Sequence, residues 1–155
     1  MKQLTDSMLD ALSQQARLSP RQRANRNLHE QLGDPIQRLA IAMEPDTFVR
    51  PHRHPQTWEM LTALRGRFIV LFFDNAGSVA SRTVLGEECR VIELPANTWH
   101  AVLSLDSGGV IFEVKHGPYT PLTQADFAPW CKTGEGAEAT QINAWYIRAK
   151  VGDRL

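Results

Sequence analysis

The stretch Pro51-His52-Arg53-His54-Pro55-Gln56-Thr57-Trp58-Glu59, which runs on to Gly66, decides how the rest of the chain is read. Side chains alternate along an extended segment, so His52 and His54 share a face and can share one metal ion. Glu59, with four residues intervening, has the opposite parity and points away in a regular strand. Pro55 predicts a break or bulge that turns the carboxylate back inward. Farther along, Pro95-Ala96-Asn97-Thr98-Trp99-His100 sets a turn before a histidine that enters another extended run. His52, His54, Glu59 and His100 are therefore candidate metal ligands, an imidazole and carboxylate set suited to first-row metals.

On either side of this stretch the chain reads as short strands. Gln37 to Met43 follows the Asp34-Pro35 turn, and Thr47 to His54 and Trp58 to Leu64 are extended. Phe68 to Phe73 is a continuous apolar run of the length and aromatic content of a buried strand. Asp74-Asn75-Ala76-Gly77 is a hairpin turn leading into Val79 to Leu85. Cys89 to Leu94, Trp99 to Leu105 and Val110 to His116 complete the series. Strands at this spacing, with no helical pattern between them, predict an all-β sandwich or barrel.

The two ends differ. Thr5 or Asp6 caps a predicted helix whose apolar face holds Met8, Leu9, Leu12 and Ala16. From Ser19 to Leu32 the apolar face is lost among arginines and asparagines, a composition that reads as a solvated or partner-docking arm. After Tyr119, residues 123–130 predict a helical turn and Gly134 and Gly136 flank a loop. Residues 137–149 predict a helix with Ile142, Trp145, Tyr146 and Ala149 on its apolar face.

A length of 155 residues suits one domain, organised as 1–35 (helix and arm), 36–120 (β-barrel) and 121–155 (C-terminal extension). Seventeen basic and seventeen acidic residues cancel, which argues against nucleic acid as a partner. Cys89 and Cys131 lack a CxxC pattern and suit a reducing compartment. No 18-residue apolar run or leader-like segment occurs, so a cytoplasmic protein without a membrane partner is expected. GxSxG, P-loop and GxGxxG motifs are absent, which leaves metal-centred chemistry as the expectation.

The spacing HxHx4Ex6G, here His52, His54, Glu59 and Gly66, resembles the first cupin motif, and Pro95 to His100 resembles the second. RANRNLHE at 23–30, DPIQRLAIAMEPD at 34–46, RPHRHPQTWE at 50–59, FEVKHGPY at 112–119 and FAPW at 127–130 together resemble the WbuC family of small cupin-fold metalloproteins, over most of the chain. Asp46 and Asn97 stand where the general cupin pattern has Gly, and Ser104 where it has Asn. Asn tolerates the left-handed conformation better than other residues with a side chain. The resemblance implies a mainly β cupin jelly-roll barrel with a short N-terminal helix and a small helical C-terminal tail. It also implies one divalent metal ion (Zn, Fe, Mn, Ni or Co), a sugar or nucleotide-sugar ligand in polysaccharide (O-antigen) metabolism, and a homodimer. The segment 23–29 then folds over the barrel mouth.

Six coordination positions leave two for water or a substrate, whereas a tetrahedral zinc bound by all four residues is closed. An open site permits a metal-dependent isomerase, epimerase or dioxygenase-like enzyme; a closed one suits a structural or noncatalytic ligand-binding module. His29 is a candidate acid or base, or equally a surface histidine. Glu113, a second catalytic candidate, shares a strand face with Lys115; the two either line the cavity or pair outside it. Arg23, Asn27, Gln37, Lys115 and Tyr119 are candidate ligand-binding residues. Gln37 also suits satisfaction of a buried backbone group, and Tyr119 packing under the tail. Trp58 and Trp99, beside the proposed ligands, read as packing residues.

Overall fold

The computed structural model describes residues 1–132 and 136–155, so the expected loop at Gly134 lies outside the described residues. Thr5 caps helix α1 (Asp6–Leu18): its hydroxyl oxygen accepts from the Met8 N–H. Asp6 in the first turn and Arg17 in the last complement the helix dipole. The strands that follow are β1 (Arg23–Asn27), β2 (Ile36–Met43), β3 (Glu59–Arg65), β4 (Phe68–Phe73), β5 (Val79–Leu85), β6 (Val91–Leu94), β7 (Trp99–Ser104) and β8 (Gly109–His116). A 3-10 turn at Gln124–Asp126 and helix α2 (Ala137–Arg148) complete the described elements.

The strands form two antiparallel sheets, a five-stranded one in the order β1-β2-β8-β3-β6 and a three-stranded one in the order β5-β4-β7. Alternation along β4 explains its unbroken apolar run. Phe68, Val70 and Phe72 face the interior between the sheets, with Ile41, Leu61, Val102 and Ile111. Ile69, Leu71 and Phe73 face the other way and are covered by Ile142 and Tyr146 of α2. On the far side of the larger sheet, Leu9, Leu12 and Ala16 of α1 lie on Ala40, Ala42 and Val110, small side chains that let the helix approach closely. The order of layers is thus α1, large sheet, small sheet, α2.

The mainly β cupin fold with its two terminal helices matches the expectation, with one correction. The sheets are not closed into a barrel. The segment from Thr47 to His54, expected to be extended, makes no ladder; only His52 forms isolated bridges, to His100 and to Phe127. Ladder pairing ends there because Pro45 and Pro51 supply no N–H and Pro55-Gln56 turns the chain. The expected polar arm is also corrected in part: residues 23–27 are an edge strand paired to β2, Arg23 opposite Met43 and Asn27 opposite Leu39.

Glu44 clips α1 to the turn between β7 and β8. Its carboxylate accepts from the Ser107 hydroxyl, the Gly108 N–H (3.0 Å) and the Arg17 guanidinium (3.1 Å). Burial alone raises its pKa, but these bonds outweigh it and hold the group below its ordinary 4.5. A depressed folded-state pKa gives stability that is present above pH 4.5 and lost as pH falls through the lowered value. Wild-type melting temperature is therefore expected to drop on acidification below that point, and Glu44→Gln to flatten the drop. Identical acid limbs for the two proteins in calorimetry would contradict this.

Candidate metal centre

Glu59 opens β3 directly after the Pro55-Gln56 turn, so its direction is set by the turn and not by the alternation that governs His52 and His54. Inside β3 and β8 the register places Glu59 opposite Lys115 and Leu61 opposite Glu113, all on the interior face. His100 enters from β7 of the small sheet, with Val102 two residues on and on the same face. Its backbone exchanges two hydrogen bonds with His52, N–H to C=O at 2.9 and 3.0 Å. Asn97 in the preceding turn adopts φ 62°, the left-handed conformation that lets it stand in for glycine.

These connections bring His52, His54, Glu59 and His100 together, with one ligand atom from each within 4.8 Å of all the others. Glu59 is 4% exposed and His100 3%. The Glu59 Oε1 atom lies 3.0 Å from His54 Nε2 and 3.0 Å from Lys115 Nζ, and Oε2 lies 3.2 Å from His100 Nε2. Lys115 also reaches Glu113 at 2.9 Å. Burial works against the Glu59 charge, yet contacts with His100 and His54 in their protonated forms, together with Lys115, outweigh it and keep the carboxylate well below its usual range. Burial also disfavours the Lys115 ammonium, but Glu113 and Glu59 push its pKa up to about 12. For Glu113, burial and the Glu59 charge raise the pKa.

The donor chemistry fits a cation. His52 Nδ1 lies 2.9 Å from the Arg50 carbonyl and His100 Nδ1 2.9 Å from the Thr98 carbonyl. A carbonyl only accepts, so each Nδ1 carries the proton, and the neutral ring presents a lone pair at Nε2. Burial holds His52 well below its usual pKa, with His100 adding to the effect, which favours that neutral form. Two imidazole lone pairs and a carboxylate thus converge, an arrangement that an ion relieves and backbone carbonyls orient. His52, His54, Glu59 and His100 can hold one metal ion.

The irregular segment carrying His52 is held from the C-terminal part of the chain. Asn143 donates to the Thr47 carbonyl at 3.3 Å, and the Tyr146 hydroxyl to the Val49 carbonyl at 3.2 Å. Arg50 donates to the Ala128 and Cys131 carbonyls at 3.1 and 2.9 Å. Side chains here replace a missing ladder.

The quartet opens into a cavity of about 1190 Å³ between the sheets. Gln37, Glu113 and Lys115 line it, as do Arg23, Asn25 and Asn27, the alternate residues of β1. Gln37 Nε2 is turned to the Leu32 and Asp34 carbonyls, so its amide satisfies backbone groups while its side chain remains in the wall. Tyr119 stands at the cavity wall, 49% exposed. His29 is not a surface residue: it is 6% exposed and faces the cavity. Trp99 is buried, donates to Asn75 and carries Arg53 over its ring, so it and Arg53 lie outside the cavity. The sequence reading missed Asn25 and the structural part of Arg50; period-two alternation in RANRN was the available signal.

A family profile, described as a domain of unknown function, matches residues 4–85, more than half the chain and three of the four clustered residues. The chain belongs to the DUF6016 family. No curated protein matches this DUF6016 chain. Among solved structures, it is similar to BH2720 from Bacillus halodurans (16% identity, 78% of this chain, 85% of that one, TM-score 0.55). It is also similar to KdgF from Halomonas sp. (13%, 66% and 85%, TM-score 0.53) and TT1209 from Thermus thermophilus (18%, 74% and 97%, TM-score 0.53). The structural neighbours are cupin-fold proteins, and at these identities the likeness concerns the fold. Among the described residues, no helix is long and apolar enough to cross a membrane.

Proposed function

We propose that this DUF6016 chain is a mononuclear metal-binding cupin of the WbuC kind that binds or acts on a small sugar-like or oxyacid ligand in polysaccharide metabolism. The observation that carries the reading is the convergence of four ligand atoms at the wall of a large cavity. Pockets of several hundred Å³ with a few convergent polar groups are the usual form of small-molecule sites. His52, His54, Glu59 and His100 hold the ion, which supplies Lewis-acid polarisation of a ligand oxygen.

The other residues bind, orient and move protons. Lys115, fixed between two carboxylates, holds Glu59 in place. Glu113, with its pKa raised by burial and the Glu59 charge, lines the cavity where it can give and take a proton. His29 presents its ring to the same space as a donor or proton carrier.

Elemental analysis of purified protein is expected to find one divalent metal ion per chain. A metal at a hundred times its dissociation constant adds about 2.7 kcal/mol of stability, so chelation lowers the melting temperature by several degrees. A chain that carries no metal, and melts identically with and without chelator and added divalent ions, contradicts the reading.

A further inference from the structure

Two side chains of the cavity wall, Arg23 and His29, carry the inference. Among the described residues, the Arg23 guanidinium makes no hydrogen bond or ion pair within 4 Å, although burial and the charges of Glu113 and Glu59 both act on it. His29 is the second. His29 Nδ1 lies 3.0 Å from both the N and the O of Arg38, so either ring tautomer finds a partner there, and Nε2 is buried without one. Of the neighbouring cations, Lys115 is engaged by Glu59 and Glu113 and Arg50 by two backbone carbonyls, while Arg21 is exposed. A buried polar atom without a partner, such as His29 Nε2, costs free energy that a ligand recovers, and the half-buried Arg23 guanidinium calls for an acceptor.

Charge gives the sign of that acceptor. Arg21, Arg23, Arg50 and Lys115 line the cavity against the carboxylates of Asp46, Glu59 and Glu113, an excess of one positive charge. A divalent ion raises the excess to three. Arg23 and His29 lie on the same side of the β1 chain, six residues apart, so a small group does not touch both.

We propose that the cavity takes an anionic ligand whose carboxylate or phosphate is anchored by Arg23, while His29 Nε2 pairs with a polar group farther along the same molecule. The proposal builds on the metal-site reading and deepens it: the ligand is an acid or a phosphate ester, not a neutral sugar. A guanidinium grips either oxyanion with two parallel N–H bonds.

The test is calorimetric titration of the full chain, metal-loaded and metal-free, at constant ionic strength, with glucose 1-phosphate, malate, inorganic phosphate and glucose. At least one anion is expected to bind and glucose not to. Arg23→Gln should weaken the binding anion about tenfold or more, and Arg23→Lys less, with metal content unchanged. His29→Gln should weaken the longer anions and leave inorganic phosphate alone. Because the Arg23 side chain makes no protein bond, Arg23→Gln is expected to melt with the wild type. The proposal is overturned if no anion binds, if glucose binds as well as glucose 1-phosphate, or if Arg23→Gln leaves the anion affinities unchanged. Elemental analysis of the same samples separates this outcome from failure of the metal reading, since Arg23 is scored on metal-free protein too.

Discussion

Glu59→Ala protein, purified beside the wild type, is expected to lose its stoichiometric metal, with affinity lowered at least about 100-fold. Residues that merely orient a metal ligand are worth about 10–100-fold, and Glu59 is in contact with both His54 and His100. Its removal takes away the anionic donor and leaves the three imidazoles of His52, His54 and His100 with Lys115 nearby. The fold is expected to survive, because Lys115 keeps its bond to Glu113 at 2.9 Å and the surrounding core lies elsewhere. Elemental analysis with a competitive chelator titration measures the loss, and circular dichroism checks the fold. Full metal occupancy in a folded Glu59→Ala chain would remove Glu59 from the site.

The largest stability effect is expected far from the ion, at Tyr146. Its ring is 1% exposed between α2 and the small sheet, and its hydroxyl donates to the Val49 carbonyl three residues before His52. Truncation of a buried aromatic leaves a cavity and costs about 3–5 kcal/mol, so Tyr146→Ala loses much of a typical domain's stability. Tyr146→Phe keeps the ring and strands one buried carbonyl, which costs about 1–3 kcal/mol. Denaturant unfolding gives both numbers. Metal affinity should fall in the phenylalanine variant as well, since the segment bearing His52 has no ladder and depends on such ties. Unaltered metal affinity in Tyr146→Phe would mean that the Arg50 and Asn143 bonds suffice.

Much of this was legible in the order of residues. Phe68 to Phe73 could only be a strand buried on both faces, and it is. Thr5, Asp6 and the apolar spacing behind them specified α1, because capping and amphipathicity are local properties. His52 and His54 on one face followed from strand alternation, and the left-handed turn at Asn97 before His100 from the resemblance to the second cupin motif, whose glycine Asn97 replaces. By contrast, β1 was read as an arm because its inward residues, Arg23, Asn25 and Asn27, are polar: a strand that faces a wet cavity carries no hydrophobic alternation. Gln37 and His29 had two possible assignments each, and only their neighbours, the Asp34 and Arg38 backbone groups, chose between them.

Side-chain periodicity and turn chemistry, which act over a few residues, were enough to specify most of the elements, β1 excepted, and to nominate four metal ligands. Whether those four meet was a matter of strand order and register, since Glu59 and His100 arrive on different sheets. The open gap between the sheets, and with it the cavity where Arg23 and His29 are left with unused polar atoms, came from the failure of the Thr47 to His54 segment to pair. That failure is a long-range effect: prolines interrupt the ladder, and bonds from residues about 80 to 100 positions away hold the segment where it stands.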